Sequence, residues 1–321
     1  MRFIWKKVWV GVSIEDIRWV KKLPIQYWFP WTDHTFFDRA KIEQDSWAID
    51  TLVDTTHSMV TKRWSEGTLW WQVYPNGIGF FLKALMWWVE SSWEEVFEHV
   101  FTLLESNTHP TLTVGVNTPI EWSSYALAMI ESMDFTAEVW GKFTVSINLK
   151  AREGEREANH VVSYNDEKWF VANMLKIFIA DDLDHLDSAQ NICLQSITVS
   201  FKKEIKDIEC ISSLDPIDYI NSSFSIEGSM ELLFQDNSYK EDYLQWRFKA
   251  LRVLAEDTLH PYSEDNYPTF MLDLSKVVIT DWTPAFTLDD ITKQSISFKG
   301  HYDLRTKKAV EVYLKNTQAS Y

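Results

Sequence analysis

Residues 224–234 alternate between apolar and polar side chains, which is the period of a strand with one buried face. The apolar members fall on every second position and a glycine fills the one gap: Phe224, Ile226, Gly228, Met230, Leu232 and Phe234. An earlier stretch, Gly67–Val73, also opens with glycine and a small hydroxyl residue and then becomes apolar. Both stretches favour β structure, and their similarity indicates an internal repeat.

The segments that follow the two stretches come in the same order. Each stretch precedes a helix-like segment that contains Lys-Ala-Leu, at 83–85 and at 249–251. A Pro-Thr pair then opens a strand-rich region, at 110–111 and at 268–269. The order of strand, helix, Pro-Thr and strands therefore occurs twice, which predicts a duplicated β-rich unit.

The repeat predicts two domains, at residues 1–154, including an N-terminal arm, and at residues 155–321. The mixed-charge segment 151–158 has the composition of a boundary between them. Prolines 24 and 30 disfavour a long helix near the N-terminus. Residues 20–60 are therefore expected to form an extended arm or loop.

Apolar periodicity assigns most of the remaining chain. Spacings of three and four predict helices at 78–85, 93–104 and 239–256. Strands are predicted where β-favouring residues run or alternate: 7–13, 64–74, 111–117, 125–138, 140–151, 192–201, 224–234, 270–281 and 290–302. The expected fold class is mainly β with flanking helices.

The chain is acidic, with a formal net charge of −16 and a pI near 4.9. That balance argues against a protein that holds nucleic acid tightly, because phosphate neutralisation requires clustered Lys and Arg. It is compatible with a protein that lets DNA pass, and equally with ordinary solubility. The 17 Trp residues predict either large interfaces or a Trp-rich core.

Two cysteines, Cys193 and Cys210, are too far apart for a CxxC motif and have no paired histidine spacing. They are predicted to be reduced and buried, with neither a zinc site nor a disulfide framework. The N-terminus lacks the apolar core and cleavage site of a signal peptide. The most apolar run, 77–89, carries Lys83 and is too short to span a bilayer, so we expect cytoplasmic folding and no membrane.

Several segments resemble the tail tube proteins of tailed bacteriophages, in their siphovirus-like, duplicated-domain type. The similar segments are Ile192–Glu204, Leu214–Asn221, Ile226–Glu231 and Asp290–Tyr302 in the second half, with Ser65–Trp70 and Asn76–Lys83 in the first. The residues that carry the family pattern are Gly67, Gly77, Gly79, Gly228, Ser229 and Glu231. Trp70 and Trp71 depart from it, since they stand where the second half has Glu231 and its neighbours.

The resemblance implies two tandem tail-tube-like β-sandwich units that complete an inner β-barrel on oligomerisation. Two units per chain imply a trimeric, pseudo-hexameric ring, with a hexamer of whole chains as the second possibility. Stacked rings would form the major tail tube, whose acidic lumen conducts DNA during ejection. Trp28 and Trp31 would then be anchors between rings.

The same resemblance implies a place in the virion tail, after assembly in the host cytoplasm. The expected partners are further copies of the chain, a tape measure protein and other tail proteins, while DNA passes without specific binding. No cofactor, metal site or catalytic residue is implied.

Three different functions remain open from the sequence. An enzyme is disfavoured because the eight histidines show no HxH or HExxH spacing and no P-loop or GxSxG motif occurs. Asp184-His-Leu-Asp187 could be imagined as a metal site, although acidic loops are usually solvated. The second function is that of a Trp-rich carbohydrate-binding β-sandwich. The third is that of a tail-completion or baseplate-proximal protein with the tube fold.

Overall fold

The structure is a computed structural model, and it describes residues 5–45, 52–53, 55, 57–93, 96–158, 162–286 and 291–321. Some predicted features extend beyond these residues. The parts that lie outside them are residues 46–51, 54 and 56 of the predicted arm, Glu94 and Glu95 of the predicted second helix, His160, and Asp290 at the start of the last predicted strand.

The described residues form one hydrogen-bonded network of 18 strands. In chain order these are β1 (Trp9–Ile14), β2 (Tyr27–Phe29), β3 (Asp33–His34), β4 (Phe37–Gln44), β5 (Ser58–Gln72), β6 (Trp87–Trp93), β7 (Phe97–Leu103), β8 (Leu112–Asn117), β9 (Trp122–Glu138), β10 (Thr144–Ala151), β11 (Glu155–Arg156), β12 (Leu175–Ala180), β13 (Leu194–Ile208), β14 (Asp218–Leu233), β15 (Phe248–Glu256), β16 (Thr269–Ala285), β17 (Lys293–Gly300) and β18 (Val310–Asn316). The helices are α1 (Ile78–Met86) and α2 (Ser238–Gln245), with 3₁₀ turns at Trp5–Lys7, Ala172–Met174 and Leu183–Ser188. The predicted mainly-β class is confirmed.

The same order of six paired strands occurs in each half of the chain. In the first half it is β1, β8, β9, β10, β5, β4, and every neighbouring pair is antiparallel. In the second half it is β12, β15, β16, β17, β14, β13, again antiparallel throughout. The helices occupy matching places, since α1 follows β5 and α2 follows β14. The hairpin of β6 and β7 is an addition in the first half.

The strand registers match at the level of single residues. Gly67 of β5 pairs with Leu149, and Gly228 of β14 pairs with Phe298. Leu149 and Phe298 hold the same position within two strands of 8 residues each, β10 and β17. Gly67 and Gly228, which the sequence repeat aligns with each other, are therefore structurally equivalent.

The two halves share strands and a core. β13 of the second half pairs with the end of β9, and β18 pairs with both β16 and β7. The ring of Phe135 lies 5.2 Å from that of Phe270 and 6.2 Å from that of Phe201, which joins residues of both halves in one apolar cluster. The domain division between residues 154 and 155 stays a prediction.

The predicted helix at 93–104 is wrong, because β6 and β7 form an antiparallel hairpin there. His99 and Phe101 are buried while their neighbours in β7 are more exposed, which is the period of a strand. The aromatic and β-branched residues of this segment fit both periods on paper, and such residues favour strands.

The predicted helix at 239–256 is right only in its first half. Trp246, in a left-handed conformation with φ of 52°, ends α2, and β15 follows. Lys249–Leu251 thus lies in a strand, whereas Lys83–Leu85 lies in α1, so the two Lys-Ala-Leu segments are not equivalent.

Two further expectations need correction. The predicted arm at 20–60 is extended but partly paired, since it contains β2, β3 and β4. β2 is buried, while every residue of β4 is exposed. Cys193 and Cys210 are both exposed free thiols, because they lie just outside the ends of β13 rather than inside it.

Candidate functional site

An antiparallel ladder of eight strands runs through both halves of the chain. Its order is β4, β5, β10, the end of β9, β13, β14, β17 and the end of β16. Each half contributes four of these strands in the same order. We call this assembly the eight-strand ladder.

One face of the eight-strand ladder is apolar and covered. Along β10, the residues Val145, Ile147 and Leu149 are buried and alternate with partly exposed polar residues. In β17, Ile296 and Phe298 are buried in the same way. This face packs into the core shared by the two halves.

The opposite face, which we call the open face, carries mostly short hydroxyl and amide side chains. Its members of this kind are Thr68, Ser132, Thr136, Thr144, Ser146, Asn148, Ser196, Thr198, Ser200, Ser229, Ser295 and Ser297. Some bond to one another across strands: Asn148 Nδ2 donates to Ser132 Oγ at 2.7 Å, and the hydroxyls of Thr136 and Thr198 lie 3.5 Å apart. The sequence shows this polar alternation but not which face would be open.

Charged groups on the open face are mixed in sign. Lys202 Nζ lies 2.8 Å from a Glu227 carboxylate oxygen, and Lys293 Nζ lies 3.6 Å from Glu231. The hydrogen bond between Lys202 and Glu227 raises the pKa of the lysine and lowers that of the glutamate, so both stay charged near neutral pH. These ion pairs neutralise part of the charge on the open face, and Asp134 and Glu138, which pair with Ser200 and Ser196, add further carboxylates to it.

Two of the four family-pattern residues in β5 and β14 have side chains on the open face. Ser229 and Glu231 point to the open face, and the position equivalent to Glu231 holds Trp70, since Glu231 pairs with Ser295 as Trp70 pairs with Ser146. Trp70 is 38% exposed there. The departure seen in the sequence thus changes the chemistry of the open face at one of the two equivalent places.

Gly67 and Gly228 let neighbouring groups approach the ladder closely. A Cβ atom at Gly67 would lie 2.1 Å from the Thr35 carbonyl oxygen, and Gly67 has a φ of +152°. A Cβ atom at Gly228 would lie 2.3 Å from Phe298 Cζ and 2.6 Å from the Thr198 carbonyl oxygen. Only glycine fits such contacts without movement of the neighbours.

Gly77 and Gly79 lie at the start of α1, away from the open face. A Cβ atom at Gly77 would lie 2.7 Å from the ring of Tyr27, and one at Gly79 would lie 2.1 Å from the ring of Tyr321. Tyr321 is held by its hydroxyl, which donates to the Asn76 carbonyl at 2.9 Å. These two glycines serve packing of the helix in this structure.

The two tryptophans proposed as anchors lie mostly inside the subunit. The Trp28 ring is 4% exposed and packs edge-on against Trp122, with ring centroids 5.6 Å apart. Trp31 is partly buried and its Nε1 donates to the Val8 carbonyl at 3.0 Å. Trp28 therefore has little exposed surface with which to contact a neighbouring ring of subunits. Trp140, at the turn after β9, is 98% exposed.

A buried lysine ties β13 to the end of α1. Lys203 Nζ donates to the Ala84 carbonyl and contacts His109 Nδ1, both at 2.9 Å. Burial lowers the pKa of Lys203 well below its usual range, and burial together with Lys203 lowers the pKa of His109 to about 4. No sequence motif points to either residue, and both serve packing because the core encloses them.

The acidic segment around Asp184 is engaged in ion pairs. His185 Nδ1 lies 2.6 Å from Asp182, Asp184 lies 2.9 Å from Arg305, and Asp187 contacts Arg252. Within the described part of the chain, no group of three or more His, Cys, Asp or Glu residues could hold a metal ion. Neither described helix has the length and apolarity that a membrane crossing requires.

Comparison with protein families identifies a match over about two thirds of the chain. The family model described as phage tail tube protein matches residues 30–246. The matched range contains α1, α2 and all of the eight-strand ladder except β16 and β17. No curated protein matches the chain.

Proposed function

Because the chain belongs to the phage tail tube protein family, we propose that it is a major tail tube protein whose copies stack as rings around a DNA-conducting lumen. The observation that carries this proposal is the eight-strand ladder, which has one covered face, one open polar face and, among the described residues, two unpaired ends. A ladder of this form extends into a closed barrel when copies of the chain join end to end.

The repeated strand order supports two tube units per chain, divided near residue 154. Three chains then supply six equivalent units and 24 ladder strands to each ring, which is the trimeric, pseudo-hexameric arrangement. A hexamer of whole chains would double both numbers. We favour the trimer because the two halves already pair through β13 and β9 in the way that separate subunits of a ring would.

We propose that the open face lines the lumen. Its short hydroxyls are neutral, so they neutralise no phosphate, and its lysines Lys202 and Lys293 are paired with carboxylates. A duplex that passes such a wall releases few counterions and gains little affinity, which permits sliding. The bore is thus expected to be weakly interacting because it is rich in hydroxyls and carries carboxylates, such as Asp134 and Glu138, that oppose adhesion of DNA.

The remaining surfaces are assigned to stacking and to other tail proteins. Residues 40–44 of β4 and 58–61 of β5 are exposed and, together with Trp31, are the proposed contacts between rings. A tape measure protein inside the lumen and the proteins at the two tail ends are the proposed partners. The tail is the proposed location in the virion, after assembly in the host cytoplasm, and the role is structural rather than catalytic.

Negative-stain electron microscopy at rising protein concentration, with mass photometry beside it, tests the proposal. We expect rings of three 37.8 kDa chains, about 113 kDa, and hollow tubes of stacked rings. Single rings that never stack would favour a tail-completion or baseplate-proximal role. A protein that stays monomeric at every concentration, also with tail initiator proteins present, would contradict the proposal.

A further inference from the structure

One of the strand junctions between the two halves of the chain can serve as a pattern for junctions between copies. In it, β13 residues 196–202 pair antiparallel with β9 residues 132–138. The side chains that meet on the covered face are at most 5% exposed: Met133, Phe135, Ala137, Ile197, Val199 and Phe201. We call this contact the internal junction.

Both strands of the internal junction have an equivalent strand at an open end of the eight-strand ladder. Phe36 lies beside Gly67, and Val199 pairs with Gly228, the equivalent of Gly67. The segment that contains β3 and β4 is therefore equivalent to β13. In the same way, Asp281 pairs with the fifth residue of β17 as Ser132 pairs with the fifth residue of β10. The end of β16 is therefore equivalent to the end of β9.

Neither equivalent edge has a partner strand within the described residues. β3 and β4 pair only with β5, and β16 beyond Ile279 pairs only with β17. An open edge of this length is a template for another strand. Strand edges that are paired with each other in the internal junction thus have equivalents without a partner strand at both ends of the eight-strand ladder, within the described residues.

The end of β16 also leaves part of an apolar row exposed. Trp282, Pro284 and Phe286 hold the positions equivalent to Met133, Phe135 and Ala137. Phe286 is 72% exposed, whereas Ala137 is 5% exposed in the internal junction. The internal junction covers this row with β13. At the open end Trp282 is partly buried against the core and its ring lies 6.4 Å from that of Phe234, while Phe286 keeps most of its surface exposed.

We propose that the edge of β3 and β4 in one copy pairs antiparallel with the end of β16 in the next copy, in the register of the internal junction. This places Phe36 opposite Pro284, Phe37 opposite Thr283, and Arg39 opposite Asp281. The inference rests on the proposed function, since it specifies how copies of the chain join into a ring. The contact is head-to-tail, so a ring forms when the rotation between copies closes.

Charge supports this register. Arg39 is exposed, and its ion pair within the described residues is a long one to Glu66, 3.8 Å between Nε and the carboxylate. Asp281 is also exposed. The proposed pairing brings them to opposite cross-strand positions, where unlike charges stabilise a sheet.

Proline at position 284 modifies the contact without preventing it. In the internal junction the Val139 N–H donates to the Gln195 carbonyl at 2.9 Å, so residue 135 also turns its N–H toward β13. Pro284, at the equivalent position, has no N–H, and the junction between copies has one hydrogen bond fewer. A proline at such an edge also limits pairing with unrelated strands.

Cysteine cross-linking in assembled rings tests the register. Phe37 and Thr283 correspond to Ser200 and Asp134, a pair without reciprocal backbone hydrogen bonds, whose Cα atoms are about 4.5 Å apart in antiparallel sheets. That separation permits a disulfide. In a Cys193→Ser/Cys210→Ser background, Phe37→Cys with Thr283→Cys should yield covalent dimers and trimers on a non-reducing gel after mild oxidation.

The two cysteines cannot join within one chain, because seven strand spacings of about 4.8 Å separate them along the ladder. The matched control is Phe37→Cys with Ala285→Cys, which is displaced by two residues on the same face and should cross-link far more slowly. Rings that assemble but cross-link better in the control, or in neither variant, overturn the register and leave the tube function intact. An absence of rings in the unsubstituted protein overturns both.

A charge exchange provides a second measurement if the cysteine variants assemble poorly. Arg39→Asp and Asp281→Arg should each reduce the ring fraction in mass photometry by several fold at low salt. The double variant should restore it, because the unlike pair is re-formed with its direction reversed. Equal loss in the double and single variants would contradict the proposed contact.

Discussion

Replacement of Gly67 by alanine should destabilise the chain more than the same change at its equivalent, Gly228. At Gly67 the added Cβ lies 2.1 Å from a backbone oxygen, that of Thr35, which is fixed because the Thr35 N–H donates to the Thr68 carbonyl at 2.9 Å. Overpacking of this kind costs about 1–3 kcal/mol. A side chain at a φ of +152° adds about 1–3 kcal/mol of backbone strain, giving about 2–6 kcal/mol in total.

At Gly228 only the first cost applies, because its φ lies outside the strained region and the nearest atom belongs to the Phe298 side chain. We expect about 1–3 kcal/mol for Gly228→Ala. The matched control is Ser229→Ala on the open face, where the change should stay within about 0.5 kcal/mol.

Urea unfolding followed by tryptophan fluorescence, with the protein below its assembly concentration, measures these differences. The expected order of the free energy of unfolding is Ser229→Ala, then Gly228→Ala, then Gly67→Ala as the least stable. A Gly67→Ala protein within about 0.5 kcal/mol of the unsubstituted chain, or one more stable than Gly228→Ala, would refute the reasoning from close approach.

Three further predictions follow from other contacts. Arg252→Met removes the ion-pair partner of Asp273, whose side chain is 12% exposed and whose carboxylate lies 2.7 Å from Arg252 Nε. The free energy of unfolding in urea should fall by about 3–5 kcal/mol. Lys202→Met, which breaks an exposed ion pair, is the control and should cost about 0–1 kcal/mol. Because burial lowers the pKa of Lys203, the unfolded chain binds a proton that the folded chain releases. The free energy of unfolding of the unsubstituted protein should therefore rise from pH 8 to 10 relative to that of Lys203→Met. Parallel plots of stability against pH for the two proteins would contradict this. Tubes assembled from Ser146→Lys should retain short duplex DNA on sedimentation. The slope of the logarithm of DNA affinity against the logarithm of salt concentration should steepen by about 0.9 for each phosphate contacted. Retention no greater than in Ser188→Lys tubes would place the open face elsewhere than in the lumen.

Much of the β structure could be predicted from the sequence because its strands are covered on one face only. The alternation at 224–234 lies in β14, and the strands predicted at 125–138 and 140–151 correspond to β9 and β10. Alternation reports burial on one side of a sheet, which is a local property. The helix predicted at 78–85 is confirmed as α1, whose periodic apolar residues are almost all buried.

The errors came from patterns that local periodicity cannot decide. Residues 97–103 are apolar at both helical and strand spacings, and their pairing with β6 and β18 selects the strand. β18 was not predicted, although its alternate residues are buried, because no repeated segment pointed to it. The same strand order occurs in both halves, yet part of the similarity that suggested a repeat is misleading, because Lys-Ala-Leu lies in a helix at 83–85 and in a strand at 249–251.

The candidate site could be predicted only in part. Gly67, Gly228, Ser229 and Glu231 all lie in the eight-strand ladder, and their role in the family pattern stays a prediction. The open hydroxyl face could not be identified beforehand, because strand alternation does not say which side the core covers. The internal junction depends on residues about 60 positions apart in sequence, such as Thr136 and Thr198, and no local signal marks it.

Reconstruction of the assembled tube by cryo-electron microscopy tests the central claim most directly. The account predicts a continuous inner barrel in which the open face, with Ser146 and Ser295, lines the lumen, and in which β16 of one copy lies beside β4 of the next. A tube wall that turns the open face outward, or that leaves the ladder ends unpaired between copies, would contradict it.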